Sequence, residues 1–288
     1  MAETSEFPLA ARLIAHSLDR LGPQRQPVLR RSYLERSQSF MQELERETAA
    51  VMRASAQDID TCLRDLDAFN ALTPEVENDA WYDQLAAFTS MHLDALLIGF
   101  SRRRLAVMVE QLAKPQVAQA AVLDVGGGSG RLAGLLLAAH PGWHATVLDR
   151  SPAAVRFARG YFEATALAER SASREGSLAE IPFADGSFDV VIAAEVLEHA
   201  EDANHSAAEL LRVLKPGGRL VISLPINLDI AMHPTVFASK QAIIDFFSAL
   251  PLSLLASQTV APDTATDAIC DVFPGFEGCL NLTLQRSA

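Results

Sequence analysis

Residues 122–132, VLDVGGGSGRL, place an acidic side chain just before a cluster of four glycines. An apolar run reaches Asp124, and glycine occupies positions 126, 127, 128 and 130 before a helix-like run begins. This order predicts a buried strand, a tight turn and the start of a helix. Glycine lets such a turn approach a ligand closely and adopt positive φ, and the unpaired amides of a helix start face whatever lies on the turn. The stretch therefore predicts a ligand-binding loop.

Two cofactor classes use loops of this kind, and the spacing separates them. The dinucleotide fingerprint G-x-G-x-x-G requires a small residue at its last position. Counted from Gly126, that position holds Arg131, whose side chain would obstruct close packing of the helix on the strand. The spacing present is acid-x-G-x-G-x-G, from Asp124 to Gly130. It disfavours a nicotinamide-dependent dehydrogenase, and a glycine-rich connector without a ligand is the other alternative.

Asp149 follows Gly130 by about one helix and one strand. Ligands of open α/β sheets bind at the carboxyl ends of the strands, so Asp149 is predicted to lie beside the glycine loop. A carboxylate there can accept both hydrogen bonds of a ribose diol. The alternative is an acidic residue near a helix N-terminus, stabilised by the helix dipole.

Four segments, LDVGGGSG, VLDRS, EIPFADGSFDVVIAAEVLEHA and LLRVLKPGGRLVISLP, follow one another in the chain. Their order and spacing resemble the motifs of class I S-adenosylmethionine (SAM) dependent methyltransferases. The likeness covers roughly residues 120–225 and is closest to the small-molecule branch that contains ubiquinone and menaquinone biosynthesis enzymes. It implies a Rossmann-like fold with SAM as the cofactor.

The resemblance implies positions for the cofactor along the glycine loop and the second strand. Asp124, Gly126 and Gly128 would line the methionine end of SAM, and Gly130 belongs to the same loop. Asp149 would hold the ribose hydroxyls.

Further implied contacts lie after the second, third and fourth strands. Arg150 would flank the adenine. Ser177 and Leu178 occupy positions where the superfamily often has an acidic and an apolar residue beside the adenine ring. Serine at 177 is a departure that puts the usual contact to the adenine amino group in question. Glu195 would border the amino-acid part of the cofactor and the substrate pocket.

Glu195, Glu198 and His199 form a Glu-x-x-Glu-His string, whose spacing places the side chains on one face of a helix. In one type of RNA 2′-O-methyltransferase and some quinone O-methyltransferases, this pattern and another histidine bind a divalent cation, and His233 could be that histidine. Many relatives carry the string without metal, so we expect none. We expect His199 to act as a general base, because imidazole titrates near neutrality, with Glu195 also at the catalytic centre.

Three further residues are predicted near the acceptor. Asn227 and His233, in the segment after the fifth strand, could contact a substrate or cap their own loop. Tyr33 lies near a predicted helix start and is a candidate catalytic residue carried on a lid.

These candidate residues lie in two regions of the chain that have different patterns of apolar residues. Residues 1–118 contain two glycines and apolar residues near helical spacing, which predicts an all-helical lid and substrate-binding region with one helix over about 32–69. Residues 119–288 alternate strands and helices, which predicts a mostly parallel, seven-stranded α/β sheet with helices on both faces, the SAM-binding domain. The arginine run at 102–104 is interpreted as a solvated turn of helix.

Composition limits the partners and the compartment. The formal charge of −12 opposes a nucleic-acid surface and docking on anionic lipid. Three cysteines are too few for a disulfide framework. The N-terminus lacks a secretory pattern, and no apolar run reaches membrane-spanning length. We therefore expect a cytoplasmic protein with a small-molecule partner and no membrane partner, and an all-helical region could form a homodimer.

The sequence thus predicts N-, O- or C-methylation of a small-molecule acceptor, in specialised metabolism. The first alternative consumes SAM on the same fold without methyl transfer, by attack of the SAM amine that displaces methylthioadenosine and closes a small cyclic amino acid. The second is a non-catalytic module that only binds SAM.

Overall fold

The computed structural model describes most of the chain. Tyr33, one of the predicted catalytic residues, lies outside the described residues, so its role stays a prediction. The described residues are 6–20, 38–71, 84–97, 99–112, 118–264, 267, 269–273 and 275–287.

The described part of the N-terminal region is helical, as predicted, but the single helix expected over 32–69 is wrong. The chain turns at Ala56, whose φ is +54°. Ser55 Oγ donates to the carbonyl of Val51 at 2.9 Å, and Asp58 accepts the Thr61 amide at 2.8 Å, so one helix ends and the next begins. The helices are α1 (Pro8–Arg20), α2 (Gln38–Ser55), α3 (Ile59–Asn70), α4 (Leu85–Leu97) and α5 (Gly99–Leu112).

The turn at Ala56 gives a test of local strain. A left-handed backbone costs a residue with a Cβ roughly 1–2 kcal/mol, and glycine lacks that cost. Ala56→Gly is therefore expected to raise the free energy of unfolding by about 1 kcal/mol. Ala49→Gly, inside α2, is the control and should lower it by about 1 kcal/mol. Urea titration measures both, and a destabilised Ala56→Gly variant would contradict the strain.

The described residues after 118 form the predicted sheet and confirm the Rossmann-like fold class. Its seven strands lie in the order β3-β2-β1-β4-β5-β7-β6. The first five strands in this order are parallel to one another, and β7 runs antiparallel between β5 and β6. The strands are β1 (Ala120–Val125), β2 (Trp143–Asp149), β3 (Ser171–Glu175), β4 (Phe188–Ala194), β5 (Leu214–Pro225), β6 (Leu252–Val260) and β7 (Cys279–Arg286).

Helices connect and cover the strands, and polar side chains begin several of them. Ser151 Oγ accepts the Ala154 amide at 3.3 Å, and Asp202 accepts the His205 amide at 2.9 Å, which are preferred N-cap arrangements. Because β1, β2, β4 and β5 are parallel, their carboxyl ends meet at one edge of the sheet. The helices are α6 (Arg131–Ala139), α7 (Pro152–Ala164), α8 (Ala203–Val213), α9 (Lys240–Ser248) and α10 (Ile269–Val272).

One buried cluster joins the N-terminal helices to the sheet. Leu44 and Phe88 from the helices share it with Val122 of β1 and Phe157 of α7. The proposed division into 1–118 and 119–288 stays a prediction, since residues 113–117 lie outside the described part. The buried core itself is continuous across the boundary between residues 118 and 119. Among the helices that the structure describes, none is long and apolar enough to cross a membrane.

Candidate functional site

The glycine loop after β1 turns sharply at the carboxyl edge of the sheet. Gly126, Gly128 and Gly130 have φ values of +65°, +51° and +74°. A Cβ on Gly126 would lie 2.5 Å from Val196 Cγ2, so the segment after β4 leaves no room for a side chain there. Glycine is thus required at 126 both for conformation and for close approach.

Asp149 ends β2 directly beside this loop, as the order of the elements predicts. Its Oδ2 accepts the Gly128 amide at 2.9 Å, and its Oδ1 accepts the Ser151 amide at 2.9 Å. The side chain is partly exposed. The structure therefore brings a carboxylate, held by two backbone amides, to the rim of the glycine loop.

Asp124 lies beneath the loop, with 1% of the residue exposed. Burial, together with the charge of Asp149, raises its pKa to about 7, although the Ala133 amide opposes this shift. Asp124 Oδ2 has no hydrogen-bond partner among the described residues. It lies 2.9 Å from the position that a Cβ on Gly127 would take. Asp124 thus supports the loop from below and leaves one buried oxygen unsatisfied.

Helix α4 reaches the glycine loop from the other side. The ring of Phe88 lies 3.9 Å from the position of a Cβ on Gly128. Nδ1 of His92 lies 3.2 Å from Ser129 Oγ. The described part of the N-terminal region therefore packs over the loop that the sequence assigns to the cofactor.

A buried polar network fastens these helices to the start of α6. Glu47 Oε2, on α2, accepts Arg131 Nη1 at 2.5 Å and Tyr161 OH at 2.8 Å. His92 Nε2 lies 4.0 Å from the same oxygen, which is too long for a hydrogen bond. Arg131, the residue that opposes a dinucleotide site in the sequence, is thus accommodated by pairing with a buried acid.

The contacts in this network shift the pKa values of Glu47 and His92 away from their ordinary values. Burial raises the pKa of Glu47, but the neighbouring His92, Arg131 and Tyr161 lower it to about 2. Burial lowers the pKa of His92 to about 4, despite the opposing effect of Glu47. The pair is therefore an ionised carboxylate beside a neutral imidazole at neutral pH.

His92 makes the fold sensitive to acid. The pKa of His92 is about 4 in the folded protein, compared with 6.5 for an ordinary histidine such as one in the unfolded chain. As the pH falls, the unfolded chain therefore binds a proton first, and stability is lost between pH 6.5 and pH 4. We expect about 2 kcal/mol less stability at pH 5 than at pH 7.5 from this group. Urea titrations at both values measure it, with His92→Gln as the comparison. Equal losses in the wild type and the variant would contradict the assignment.

Glu195 follows β4 at the same edge of the sheet and is fully engaged. It has a φ of +55°. Its Oε1 accepts Ser223 Oγ at 2.7 Å, and its Oε2 accepts the Cys279 thiol at 3.2 Å. Arg104 Nη1 lies 3.4 Å from Oε1 with only 17% of the side chain exposed, so the interpretation of that arginine as solvated is wrong. The ion pair joins positions distant in sequence, and no local pattern indicates it.

The expected helical face of the Glu-x-x-Glu-His string is wrong. Only Leu197–His199 form a helical turn, of the 3₁₀ type, and Glu195 lies outside it. Instead, the loop after β5 folds back and brings His233 to His199, with ring centroids 4.8 Å apart at 80°. One ligand-type atom from each of Glu198, His199 and His233 lies within 4.8 Å of the others.

The titration of these groups follows from their burial. Burial and the charge of His233 lower the pKa of His199, and burial lowers the pKa of His233. Burial and the charge of Glu195 raise the pKa of Glu198 well above its usual range. Both imidazoles are therefore neutral near pH 7.

The remaining predicted site residues are more exposed. Arg150 is exposed next to Asp149, and Ser177 is exposed while Leu178 packs partly against the core. Asn227 is exposed and has a φ of +53°, and its amide donates to the carbonyl of Phe237 at 2.8 Å, which closes the loop that carries His233. The roles of these residues stay predictions.

Comparison with known families agrees with this geometry. A family profile described as a methyltransferase domain matches residues 123–222, from the glycine loop to β5. The resemblance to class I SAM-dependent methyltransferases that the motifs predict is therefore confirmed over this part of the chain. The matched segment holds the glycine loop and Asp149 at the carboxyl edge of the sheet.

Curated relatives match the chain over part of their own length. The chain is 34% identical over 145 residues to the ubiquinone/menaquinone biosynthesis C-methyltransferase UbiE of Bartonella quintana. That match covers 50% of this chain and 56% of the relative. The chain thus spans little more than half of that relative's length.

Solved structures share the fold at low sequence identity. The [4+2]-cyclase SpnF matches with a TM-score of 0.55 and 18% identity, over 65% of this chain and 81% of that one. A geranyl diphosphate methyltransferase in complex with GPP and sinefungin matches with a TM-score of 0.54 and 16% identity, over 70% of this chain and 83% of that one.

Proposed function

We propose that this protein transfers the methyl group of SAM to a small-molecule acceptor. The observation that carries the proposal is the pairing of the glycine loop with Asp149 across β1 and β2. Gly128 and Asp149 come from different strand ends, and the 2.9 Å hydrogen bond between them fixes a carboxylate at the rim of a backbone cradle. The match of residues 123–222 to methyltransferase domains supports the same assignment.

The residues present fit a sulfonium nucleoside. Asp124 Oδ2 is buried beneath the loop without a hydrogen-bond partner among the described residues, and a positively charged ligand above it would favour the ionised form of this carboxyl. Asp149 would hold the ribose hydroxyls, as carboxylates do for diols. SAM, when bound, supplies a methyl group that is already activated by the positive sulfur. The chain's own task is therefore to bind, orient and exclude water.

The N-terminal helices perform the exclusion of water. Phe88 lies over Gly128, and His92 contacts Ser129, so an apolar ring and a buried imidazole close one side of the loop. A dry site strengthens the fixed dipoles around a charged ligand.

His199 and Glu195 are proposed to act on the acceptor side. Nδ1 of His199 lies 2.9 Å from the carbonyl of Met232, so in the neutral ring that nitrogen carries the hydrogen and Nε2 the lone pair. A lone pair there could take the proton of an oxygen or nitrogen nucleophile. Glu195, ion-paired with Arg104, contributes a fixed negative charge beside it.

Product analysis tests the proposal. The protein is incubated with SAM alone and then with SAM and a metabolite extract, and both nucleoside products are followed by mass spectrometry. S-adenosylhomocysteine that forms only with the extract supports methyl transfer. Methylthioadenosine would instead support the cyclising alternative, and SAM binding without either product would support a binding module. Small-molecule methylation in specialised metabolism is the finer part of the proposal, and the mass of the methylated product identifies the acceptor.

A further inference from the structure

We propose that Arg104 binds a carboxylate group of the acceptor, so that the acceptor is an organic acid. The inference rests on the proposed function and names its substrate class. Arg104 lies on α5, and its guanidinium reaches Glu195 in the turn after β4. The arginine run at 102–104 predicts only a solvated turn of helix. The contact with Glu195 instead places Arg104 at the carboxyl edge of the sheet, where ligands of open α/β sheets bind.

The guanidinium of Arg104 carries buried donors that lack an acceptor. Only 17% of the side chain is exposed, and its Nε and Nη1 atoms make no hydrogen bond with any residue that the structure describes. Nη1 lies 3.4 Å from Glu195 Oε1, which makes an ion pair without the alignment of a hydrogen bond. Arginine stays charged in proteins, and a buried charged donor without a partner is costly. An oxygen of a ligand would supply the missing acceptor.

Glu195 is directed at other donors and leaves the fork of Arg104 open. Its Oε1 accepts Ser223 Oγ at 2.7 Å, and its Oε2 accepts the Cys279 thiol at 3.2 Å. These partners belong to β5 and β7, so the carboxylate is held against the sheet from the side opposite to α5. Glu195 therefore offsets part of the charge of Arg104 without satisfying its donors.

The place of Arg104 in the fold favours the acceptor over the cofactor as its ligand. Asp149, the proposed ribose ligand, ends β2, whereas Val107 of α5 is buried in one cluster with Cys279, the first residue of β7. In the sheet order, β7 is four strands from β2, which is roughly 19 Å at about 4.8 Å per strand. A cofactor held by the glycine loop and Asp149 occupies the side of β1 and β2. Arg104 therefore faces a compound that lies over β4, β5 and β7.

The charge of Arg104 also acts on two buried acidic groups at this edge. Burial and the charge of Glu195 raise the pKa of the Cys279 thiol, and Arg104 opposes this shift. Burial and the charge of Glu195 also raise the pKa of Glu198, again against the effect of Arg104. Both groups are therefore biased toward their neutral forms, in which they are weak competitors for the guanidinium.

The balance of charge selects the class of ligand. A carboxylate matches the planar fork of a guanidinium, and such charge-assisted hydrogen bonds are roughly twice as strong as neutral ones. A phosphate matches the fork too, but it would bring a second negative charge next to Glu195. A cationic amine at this position would be repelled by Arg104. The acceptor is therefore expected to be a carboxylic acid and not a phosphate ester.

The carboxylate anchors the acceptor and is not the group that receives the methyl. Hydrogen bonds from a guanidinium stabilise the charge of a carboxylate and so weaken it as a nucleophile. The methyl-accepting oxygen or nitrogen must therefore be a second group of the same molecule, on the side of the glycine loop. Anchoring at Arg104 would orient that group for transfer. The substrate class is then a hydroxy or amino carboxylic acid.

Fractionation of the metabolite extract tests the class of acceptor with the wild-type protein. The extract is passed over an anion-exchange resin at pH 7.5, and the unbound and bound fractions are incubated separately with SAM and the full chain. We expect S-adenosylhomocysteine with the bound fraction only, both before and after that fraction is treated with alkaline phosphatase. The methylated product should keep a free carboxylate, which conversion to an amide and mass spectrometry detect.

Substitution of Arg104 tests its part in this recognition. At limiting amounts of the bound fraction, Arg104→Gln should lower the rate, which is proportional to kcat/KM, about 100-fold through loss of the charged donors. Its Kd for SAM, measured by calorimetry, should stay within about 3-fold of the wild type. Arg104→Lys keeps the charge without the planar fork and should recover only part of the rate. Arg159→Gln removes the same charge at an exposed position of α7 and should behave as the wild type does.

Several results would overturn the inference and leave methyl transfer intact. With the wild type, these are S-adenosylhomocysteine from the unbound fraction only, its loss after phosphatase treatment, and a product methylated on its carboxylate. With Arg104→Gln, folded by circular dichroism, they are an unchanged rate or a loss of SAM affinity, which would mean that Arg104 holds the carboxylate of the cofactor. S-adenosylhomocysteine with neither fraction would contradict the proposed function and the inference together.

Discussion

Asp149→Asn is expected to weaken SAM binding about 100-fold, measured by isothermal titration calorimetry on the full chain. A hydrogen bond to a charged group contributes roughly 1.5–3 kcal/mol. Losing the carboxylate at a ribose diol should therefore cost about 3 kcal/mol, which is about 100-fold in Kd. The residue also accepts the amides of Gly128 and Ser151, and an asparagine can replace only one of these oxygens.

Asp245→Asn is the matched control, because it removes the same charge on α9 at an exposed position. It should bind SAM with wild-type affinity. If Asp149→Asn also binds within about 3-fold of the wild type, a difference of less than 1 kcal/mol, the proposed ribose role of Asp149 is wrong.

Glu47→Gln is expected to lower the free energy of unfolding by at least about 3 kcal/mol, the typical effect of removing one partner from a buried ion pair. Arg131 is the reason, since 11% of its side chain is exposed and its Nη1 lies 2.5 Å from Glu47. Without the carboxylate, the guanidinium is left buried and uncompensated. Urea unfolding at pH 7.5 measures the loss.

An exposed ion pair in the same helical region provides the comparison. Arg12 pairs with Asp60, and their side chains are 37% and 62% exposed, so Asp60→Asn should change stability by less than about 1 kcal/mol. Adding Arg131→Met to Glu47→Gln should restore part of the loss, because an apolar replacement removes the uncompensated charge. A double variant no more stable than Glu47→Gln would contradict this account.

The sequence predicts the sheet and the turn at the glycine loop well because their signals are local. A continuous apolar run such as β1 is typical of a parallel strand buried on both faces, and the glycine spacing after it indicates a turn with positive φ. Asp149 could be placed beside that turn because parallel strands end at one edge of the sheet. Neither inference requires knowing which helices pack where.

The sequence fails where structure depends on distant partners or on a single backbone angle. Apolar spacing continues through Ala56 without change, so it does not reveal where α2 ends. Arg104 meets Glu195, and His233 meets His199, across chain separations that no periodicity encodes. The helical face expected for Glu195 and Glu198 failed because spacing alone implies a helix only where the backbone continues as one.

The buried core that the helical region shares with the sheet limits how that region can be replaced. Since Leu44 and Phe88 are buried with Val122 and Phe157, the helical region is not an accessory that can be exchanged for another one. A fragment starting at residue 119 would open an apolar surface to water and is expected to aggregate. Under the proposed function, a changed acceptor preference would have to arise from individual substitutions within the existing helices, since a transplanted domain would need to reproduce the same buried contacts.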